Sequence, residues 1–465
     1  MHLDNTLSFS PLKVNMLSLF VFAFLADCIC IIAEQSYMQW LKLPYTLPIL
    51  IQLILAICSL WYFFQNKCYL KLYYLTPIAV LILVLIGIFR GMFAVEGYWG
   101  YKGWLQCSLS ALTFVLLFPL GNSSICCKSL QSWNKYMFPA FVLFCTWGMT
   151  PASYAFEIPV IYYFYVLLCY IVCHDKKACF IIIFGVVCTF IGVENRSGVL
   201  KTATAIMLST TLLFPKIISK ISNAILQFFF YLLAISLIIL GLTGTFNILQ
   251  DLGGEETTEV TMRFTGNDDD DIEVNEDLTV DTRTFLYEEV ITSAIMGDYV
   301  LFGNSVGRGN THNGEWSQDV EGMDDSERLM NEAGMLNIFT WMGLLGVILY
   351  SLMYLQASCL GLFYSKNRYI PVIATAVAFH WAMFWLEETT QFTPMDFSFF
   401  ILMGICFSPQ FRKMSDAEFR IWFRSCFSAP DKISSYDFMQ WLKAKVLTNK
   451  LKELSHKNSY ESSMA

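Results

Sequence analysis

The sequence predicts an all-α polytopic membrane protein with about twelve transmembrane helices and one large external loop between the ninth and the tenth. Three observations predict it. Of 465 residues, 56% are apolar and only 15% charged, against roughly a quarter charged in ordinary soluble domains. Twelve apolar runs approach the roughly 20 residues needed to cross about 30 Å of hydrocarbon. The charges are also sorted along the chain. Residues 251–334 carry 22 acidic side chains against Arg263, Arg283, Arg308 and Arg328, a balance of −18, while the remainder balances at +10.

Composition excludes several classes. The net charge of −8 argues against nucleic acid as a partner. With Gly 26 and Pro 13, and with 15 Cys spread through a long apolar chain, collagen-like, disordered and disulfide-stapled scaffolds are excluded too.

Residues 1–250 hold the first nine runs, at 14–33, 45–64, 72–93, 104–121, 136–153, 157–173, 178–194, 198–214 and 223–248. If the N-terminus is cytoplasmic, the inward connections carry Lys67 with Lys71, Lys128 with Lys135, Lys176 with Lys177, and Lys216 with Lys220. Each is basic, as the enrichment of Lys and Arg on the cytoplasmic side requires. The first run lacks a small-residue cleavage site and is expected to stay as a span.

Residues 251–334 form the acidic external, periplasmic loop. Its Asp268–Asp271 run does not fit a calcium-binding EF-hand. Counting from Asn267, the sixth and twelfth positions hold Ile272 and Leu278 where Gly and Glu are needed. A solvated acidic face is the expectation there. From Arg283 to Met296, Phe285, Leu286, Glu289, Val290, Ser293 and Ala294 recur at helical spacing, which predicts a helix lying over the membrane surface.

Residues 335–408 hold the last three runs, at 335–363, 369–386 and 396–408, joined on the inward side by Lys366 and Arg368. The tail, 409–465, carries ten further Lys or Arg. Phe419, Ile421, Trp422, Phe423 and Phe427 alternate there with Arg420, Arg424 and Lys432, predicting a basic amphipathic helix on anionic cytoplasmic lipid. Both termini are then cytoplasmic. No cysteine falls within 251–334 and no paired CxxC arrangement exists, so reduced thiols without a metal site are expected.

Ionisable groups at span ends are functional candidates in a membrane protein. Arg90 closes the third span, Arg196 sits in the Val193-Glu194-Asn195-Arg196-Ser197-Gly198 turn, and Lys201 starts the eighth span. Arg283 opens the loop helix, Arg328 and Glu332 precede the tenth span, and Glu387 and Glu388 close the eleventh. Several guanidinium groups on one side suit bidentate binding of phosphate oxygens.

These motifs, taken together, resemble the O-antigen polymerase and O-antigen ligase superfamily over roughly residues 190 to 350. Arg196-Ser197-Gly198 is similar to its short Ser-Arg-Gly type turn between spans. Arg283-Thr284-Phe285-Leu286-Tyr287-Glu288 is similar to the start of its large external loop, and Leu301-Phe302-Gly303-Asn304-Ser305-Val306-Gly307 to its small-residue turn. The loop ends in Glu332-Ala333-Gly334-Met335-Leu336-Asn337, followed by Gly343-Leu344-Leu345-Gly346. Ligase-like members carry a His-Asn pair where this chain has Glu332, eleven residues before Gly343, and its own His312-Asn313 lies twenty residues earlier. Either Glu332 replaces that histidine or His312 folds back to the same place.

The resemblance implies an integral bacterial inner-membrane glycosyltransferase that uses a polyprenyl-diphosphate-linked glycan and membrane lipid, with no cofactor and no metal. Arg196, Arg283 and Arg328, with Lys201 and Arg90, would bind the substrate's diphosphate, and Glu332 or His312 would accept the proton of the acceptor hydroxyl. The missing His-Asn pair favours a polymerase of surface-polysaccharide repeat units over a ligase that passes the polymer to a lipid A core or protein. A flippase and a chain-length regulator are the partners such an enzyme implies. A secondary transporter is the alternative outside this class. It would use Asp27, Glu34 and His380 as an ion path, but the sequence shows no inverted repeat.

Overall fold

The computed structural model describes residues 11–35, 46–140, 142, 164–172, 175–191, 196–242, 259–265, 271–277, 282–311, 327–388, 390, 392 and 394–427. Helices dominate it. In chain order they are α1 (Pro11–Gln35), α2 (Thr46–Gln65), α3 (Leu75–Ala94), α4 (Gly97–Leu112), α5 (Ser123–Ser132), α6 (Lys176–Ile191), α7 (Arg196–Thr210) and α8 (Lys216–Leu242). After an interval containing β1 (Glu259–Thr265) and β2 (Asp271–Asp277) come α9 (Thr282–Met296), β3 (Asn310–Thr311) and β4 (Glu327–Arg328). α10 (Gly334–Phe363), α11 (Tyr369–Phe384), α12 (Pro394–Phe407) and α13 (Asp416–Ser425) complete the order.

Helices coincide with ten of the twelve apolar runs. The run 136–153 lies largely outside the described residues, and of the run 157–173 residues 164–172 are described, mostly as helix. Among the described residues, five helical stretches are long and apolar enough to cross a membrane: Thr46–Gln65, Leu72–Ala94, Gly97–Leu120, Lys216–Ser236 and Gly334–Phe363. Four shorter apolar helices, Ser18–Cys30, Ser197–Leu213, Tyr369–Phe384 and Asp396–Phe407, accompany them. The chain is therefore a helical membrane protein.

α11 sits at the centre. All sixteen of its residues are buried, because α8, α10 and α12 pack around it. A helix that is apolar on every side, such as Tyr-Ile-Pro-Val-Ile-Ala-Thr-Ala-Val-Ala-Phe, has no polar stripe to turn outward and belongs inside a bundle. The outer helices instead expose apolar side chains, among them Ile82, Phe89, Ile225 and Phe228, as lipid-facing surfaces do.

Two local expectations need correction. The tail helix does not lay its aromatic face on lipid. Phe419, Trp422 and Phe423 of α13 are fully buried, Tyr369 stacks on Phe419 at 5.3 Å, and Trp422 Nε1 donates to the Ser123 carbonyl at 2.9 Å. An amphipathic face can be covered by protein as well as by lipid, and here the ends of α5 and α11 supply the cover. The capping box of Ser415 and Glu418 starts this helix cleanly.

The helix predicted from Arg283 to Met296 exists as α9, but its apolar face meets protein rather than the membrane surface. Leu286 and Val290 pack with Ala333 and Leu336 of the α10 start.

The acidic stretch also carries a strand pair that its charge did not predict. β1 and β2 pair antiparallel with Met262 opposite Val274 and Phe264 opposite Ile272. The alternation of Val260, Met262 and Phe264, and of Ile272 and Val274, is a period-two strand signal, interrupted by the Asp run that drew attention to charge. The fold thus carries two small hairpins, β1–β2 and β3–β4, within an otherwise helical chain.

Candidate functional site

One end of the bundle gathers several of the polar groups singled out from the sequence, and α9 and the 299–311 segment dock on it. α9 is held there by three contacts. Its apolar face packs as described above, its Glu289 Oε2 takes Arg328 Nη1 at 3.1 Å, and its Tyr287 hydroxyl donates to the carbonyl of Trp385 at the end of α11. Glu289 is nearly buried, with 4% of its side chain exposed, so a partner of opposite charge is required for it to remain ionised.

Lys201, five residues into α7, is 2% exposed and places Nζ 2.6 Å from Glu387 Oε1 just beyond α11. The same ammonium lies 5.9 Å from the Phe399 ring of α12. Phe399 in turn stacks on His380, with ring centroids 3.3 Å apart. An ammonium inside a membrane bundle is costly unless paired, and the pair joins α7 to α11. Lys201 was expected among the substrate-binding groups. Its burial against Glu387 makes it an internal brace instead.

Next to that pair, Glu388 accepts the backbone N–H of Thr390 at 2.5 Å, together with the Thr390 hydroxyl and Asn337 Nδ2. Asn337, 0% exposed, also donates to the Asn331 carbonyl at 3.0 Å and accepts the Asn331 N–H at 2.6 Å. Asn331 Nδ2 reaches Asn310 Oδ1 at 3.1 Å. This ladder fixes the turn on which Glu332 stands. Glu332 itself points away from the ladder and is exposed. Arg308 pairs with Glu327 through Nε at 2.9 Å and through Nη2, and Gly309 N–H adds a bond to the same carboxylate at 3.2 Å. Burial pushes the nearby Tyr299 phenol up from its ordinary value, against the opposing hydrogen bond with Ser293.

A second arrangement ties the small-residue turn to α10. At Gly343 the helix breaks, with φ +65°. Leu344 N–H bonds to the Val300 carbonyl at 2.8 Å and Leu345 N–H to the Leu301 carbonyl at 3.3 Å, while the Thr340 carbonyl accepts Asn304 N–H at 2.7 Å. The turn backbone therefore replaces bonds that the helix gives up. Both Gly303 and Gly343 have positive φ, and a Cβ on Gly303 would lie 2.3 Å from the Trp341–Met342 peptide, so only glycine fits either side of the contact. Arg90 was expected to bind substrate. It donates to the carbonyls of Phe302 at 2.9 Å and Gly303 at 3.1 Å, which makes it an anchor of this turn.

No family model, curated protein or solved structure matches the chain.

Of the remaining candidates, Arg196 is the first residue of α7 and Arg283 the second of α9, and the side chains of both lie outside the described detail. His312 lies outside the described residues. Arg328 is brought into the cluster through Glu289. Buried Asn310, Asn331 and Asn337 were missed, although three asparagines beside apolar segments are a readable sign of internal hydrogen bonding. Asp27 of α1 and His380 are buried within the bundle, and the side chain of Glu34 lies outside the described detail.

Proposed function

We propose that the protein transfers glycan from a polyprenyl-diphosphate-linked oligosaccharide, polymerising repeat units of a surface polysaccharide such as an O-antigen or capsule at the external face of the bacterial inner membrane. The observation that carries this reading is convergence. The elements bearing Arg196, Arg283, Arg328 and Glu332 meet at one end of a membrane bundle, braced by Lys201–Glu387 and Arg328–Glu289. The reading takes twelve spans, both termini in the cytoplasm and residues 251–334 outside, which puts that end on the external side.

The chemistry needs no nucleotide. The acceptor hydroxyl oxygen forms a bond to C1 of the donor sugar, and the C1–oxygen bond to the lipid diphosphate breaks. The diphosphate leaves with the electron pair, and the hydroxyl proton passes to a carboxylate. Arg196 and Arg283, at the starts of α7 and α9, and Arg328 are the guanidinium donors this reading assigns to the growing negative charge. Exposed Glu332, on a turn held rigid by the asparagine ladder, suits the proton acceptor, and attack opposite the leaving group inverts C1. A flippase to deliver the lipid-linked unit and a regulator of chain length are the partners this activity implies.

A second reading has one observation in its favour. A helix broken at Gly343 in a bundle that also holds the buried Lys201–Glu387 pair suits a secondary transporter as well. The length distribution of surface polysaccharide after deletion separates the readings. Loss of long ladders with single repeats retained supports polymerisation, accumulation of full-length lipid-linked polymer supports the ligase, and unchanged ladders support transport.

A further inference from the structure

Two rulers place the splice at Gly343 relative to a bilayer. α10 breaks at Gly343, and its second part, 344–363, is about 20 residues or about 30 Å long at 1.5 Å per residue. Crossing the hydrocarbon takes about 20 residues. Counting about that many back from Phe363, beyond which Lys366 and Arg368 follow, brings the far hydrocarbon boundary to Gly343. α3 agrees: its 20 residues end at Ala94, and Arg90 near that end holds the same turn.

At this level the turn exposes two large apolar side chains, Leu301 and Phe302, each 61% exposed. They are flanked by Phe89 at 63% and Phe93 at 71% on α3, and by Leu344, Leu345 and Ile348 on α10. The exposed surface of the turn is continuous with the faces of two helices that a bilayer has to cover.

Its backbone is prepared for the same environment. Four consecutive carbonyls are occupied, those of Val300 and Leu301 by Leu344 and Leu345 N–H and those of Phe302 and Gly303 by Arg90. Non-helical backbone is tolerated at hydrocarbon depth only when its polar groups are satisfied by protein. A turn in water would have no need of this, and would not pair satisfied carbonyls with a bare Leu-Phe tip.

We propose that residues 299–303 form a lipid-binding wedge, with Leu301 and Phe302 inserted among phospholipid acyl chains and Arg90 holding the wedge to α3. The occupant is bulk membrane phospholipid, because the patch extends the exposed apolar surface of α3 and α10, and Arg90, the charged group between α3 and the turn, directs its donors to the Phe302 and Gly303 carbonyls. This proposal is independent of the chemistry proposed above, and the topology there assigns the wedge to the outer leaflet.

The test is photocrosslinking in the full chain. Phe302 is replaced by p-benzoylphenylalanine, and the protein is reconstituted in phosphatidylethanolamine and phosphatidylglycerol vesicles with alkyne-tagged acyl chains. Position 93 serves as the lipid-facing reference and position 332 as the exposed polar one. The expected result is a lipid adduct at 302 with a yield close to that at 93 and several-fold above that at 332. A yield at 302 no higher than at 332, or a crosslink from 302 to a second copy of the chain, overturns the proposal. Position 301 repeats the measurement on the neighbouring side chain if the variant at 302 does not accumulate.

Discussion

Lys201 Nζ and Glu387 Oε1 stand 2.6 Å apart inside the bundle, 186 residues apart in the chain. This contact ties the helix that begins with Arg196 to the end of the central helix. Removing one partner of such a pair leaves a buried charge uncompensated, at a cost of about 3–5 kcal/mol.

Lys201→Met and Glu387→Gln should therefore each lower stability by about that amount, and the double variant should be less destabilised than the two effects combined. Thermal unfolding of the four purified proteins in detergent measures the cycle. Strict additivity would show that the two residues do not interact.

Arg90→Lys should loosen the 299–311 segment. A lysine keeps the charge but lacks the planar fork that serves two carbonyls at once. The expected outcome is new cleavage within this segment under limited proteolysis, mapped by mass spectrometry. A digestion pattern identical to that of the unaltered protein would remove Arg90 as the anchor.

Trp422→Ala should destabilise the folded protein by about 3–5 kcal/mol, as truncation of large core aromatics does, because this indole is fully buried and hydrogen-bonded to Ser123. A helix resting on lipid would instead lose membrane affinity with little change in unfolding temperature.

Glu332→Gln preserves size and hydrogen bonding but cannot take a proton, so it should nearly abolish polymer formation with normal membrane expression. His312→Ala should be mild. Polysaccharide ladders from complemented deletion strains report both. Inert His312→Ala together with active Glu332→Gln would assign the proton acceptor to the histidine.

The apolar helices were legible because hydropathy is a local property, and a helix such as Leu75–Ala94 declares itself residue by residue. α9 was legible from the spacing of Leu286, Glu289, Val290 and Ser293, although spacing did not say that its buried face would meet Ala333 and Leu336 rather than lipid. The break at Gly343 was hidden, since a single glycine within an apolar run is tolerated in a helix, and only the turn at Gly303 gives it a reason. The partners of Lys201 and Arg90 were hidden for a related cause: each lies far away in sequence, at Glu387 and at Phe302. Spacing along the chain shows which residues are charged at a span end and not which ones they meet.

The proposed glycosyl transfer, driven by departure of a lipid diphosphate, is tested with the purified protein in proteoliposomes containing a polyprenyl-diphosphate-linked repeat unit and no ion gradient, compared with Arg196→Lys and Arg283→Lys. The expected products are longer lipid-linked oligomers and released polyprenyl diphosphate, with rates falling by about 10²- to 10³-fold in either variant, as for loss of one preorganised donor. An unchanged substrate in the absence of a gradient, or equal rates in all three proteins, would contradict the proposal.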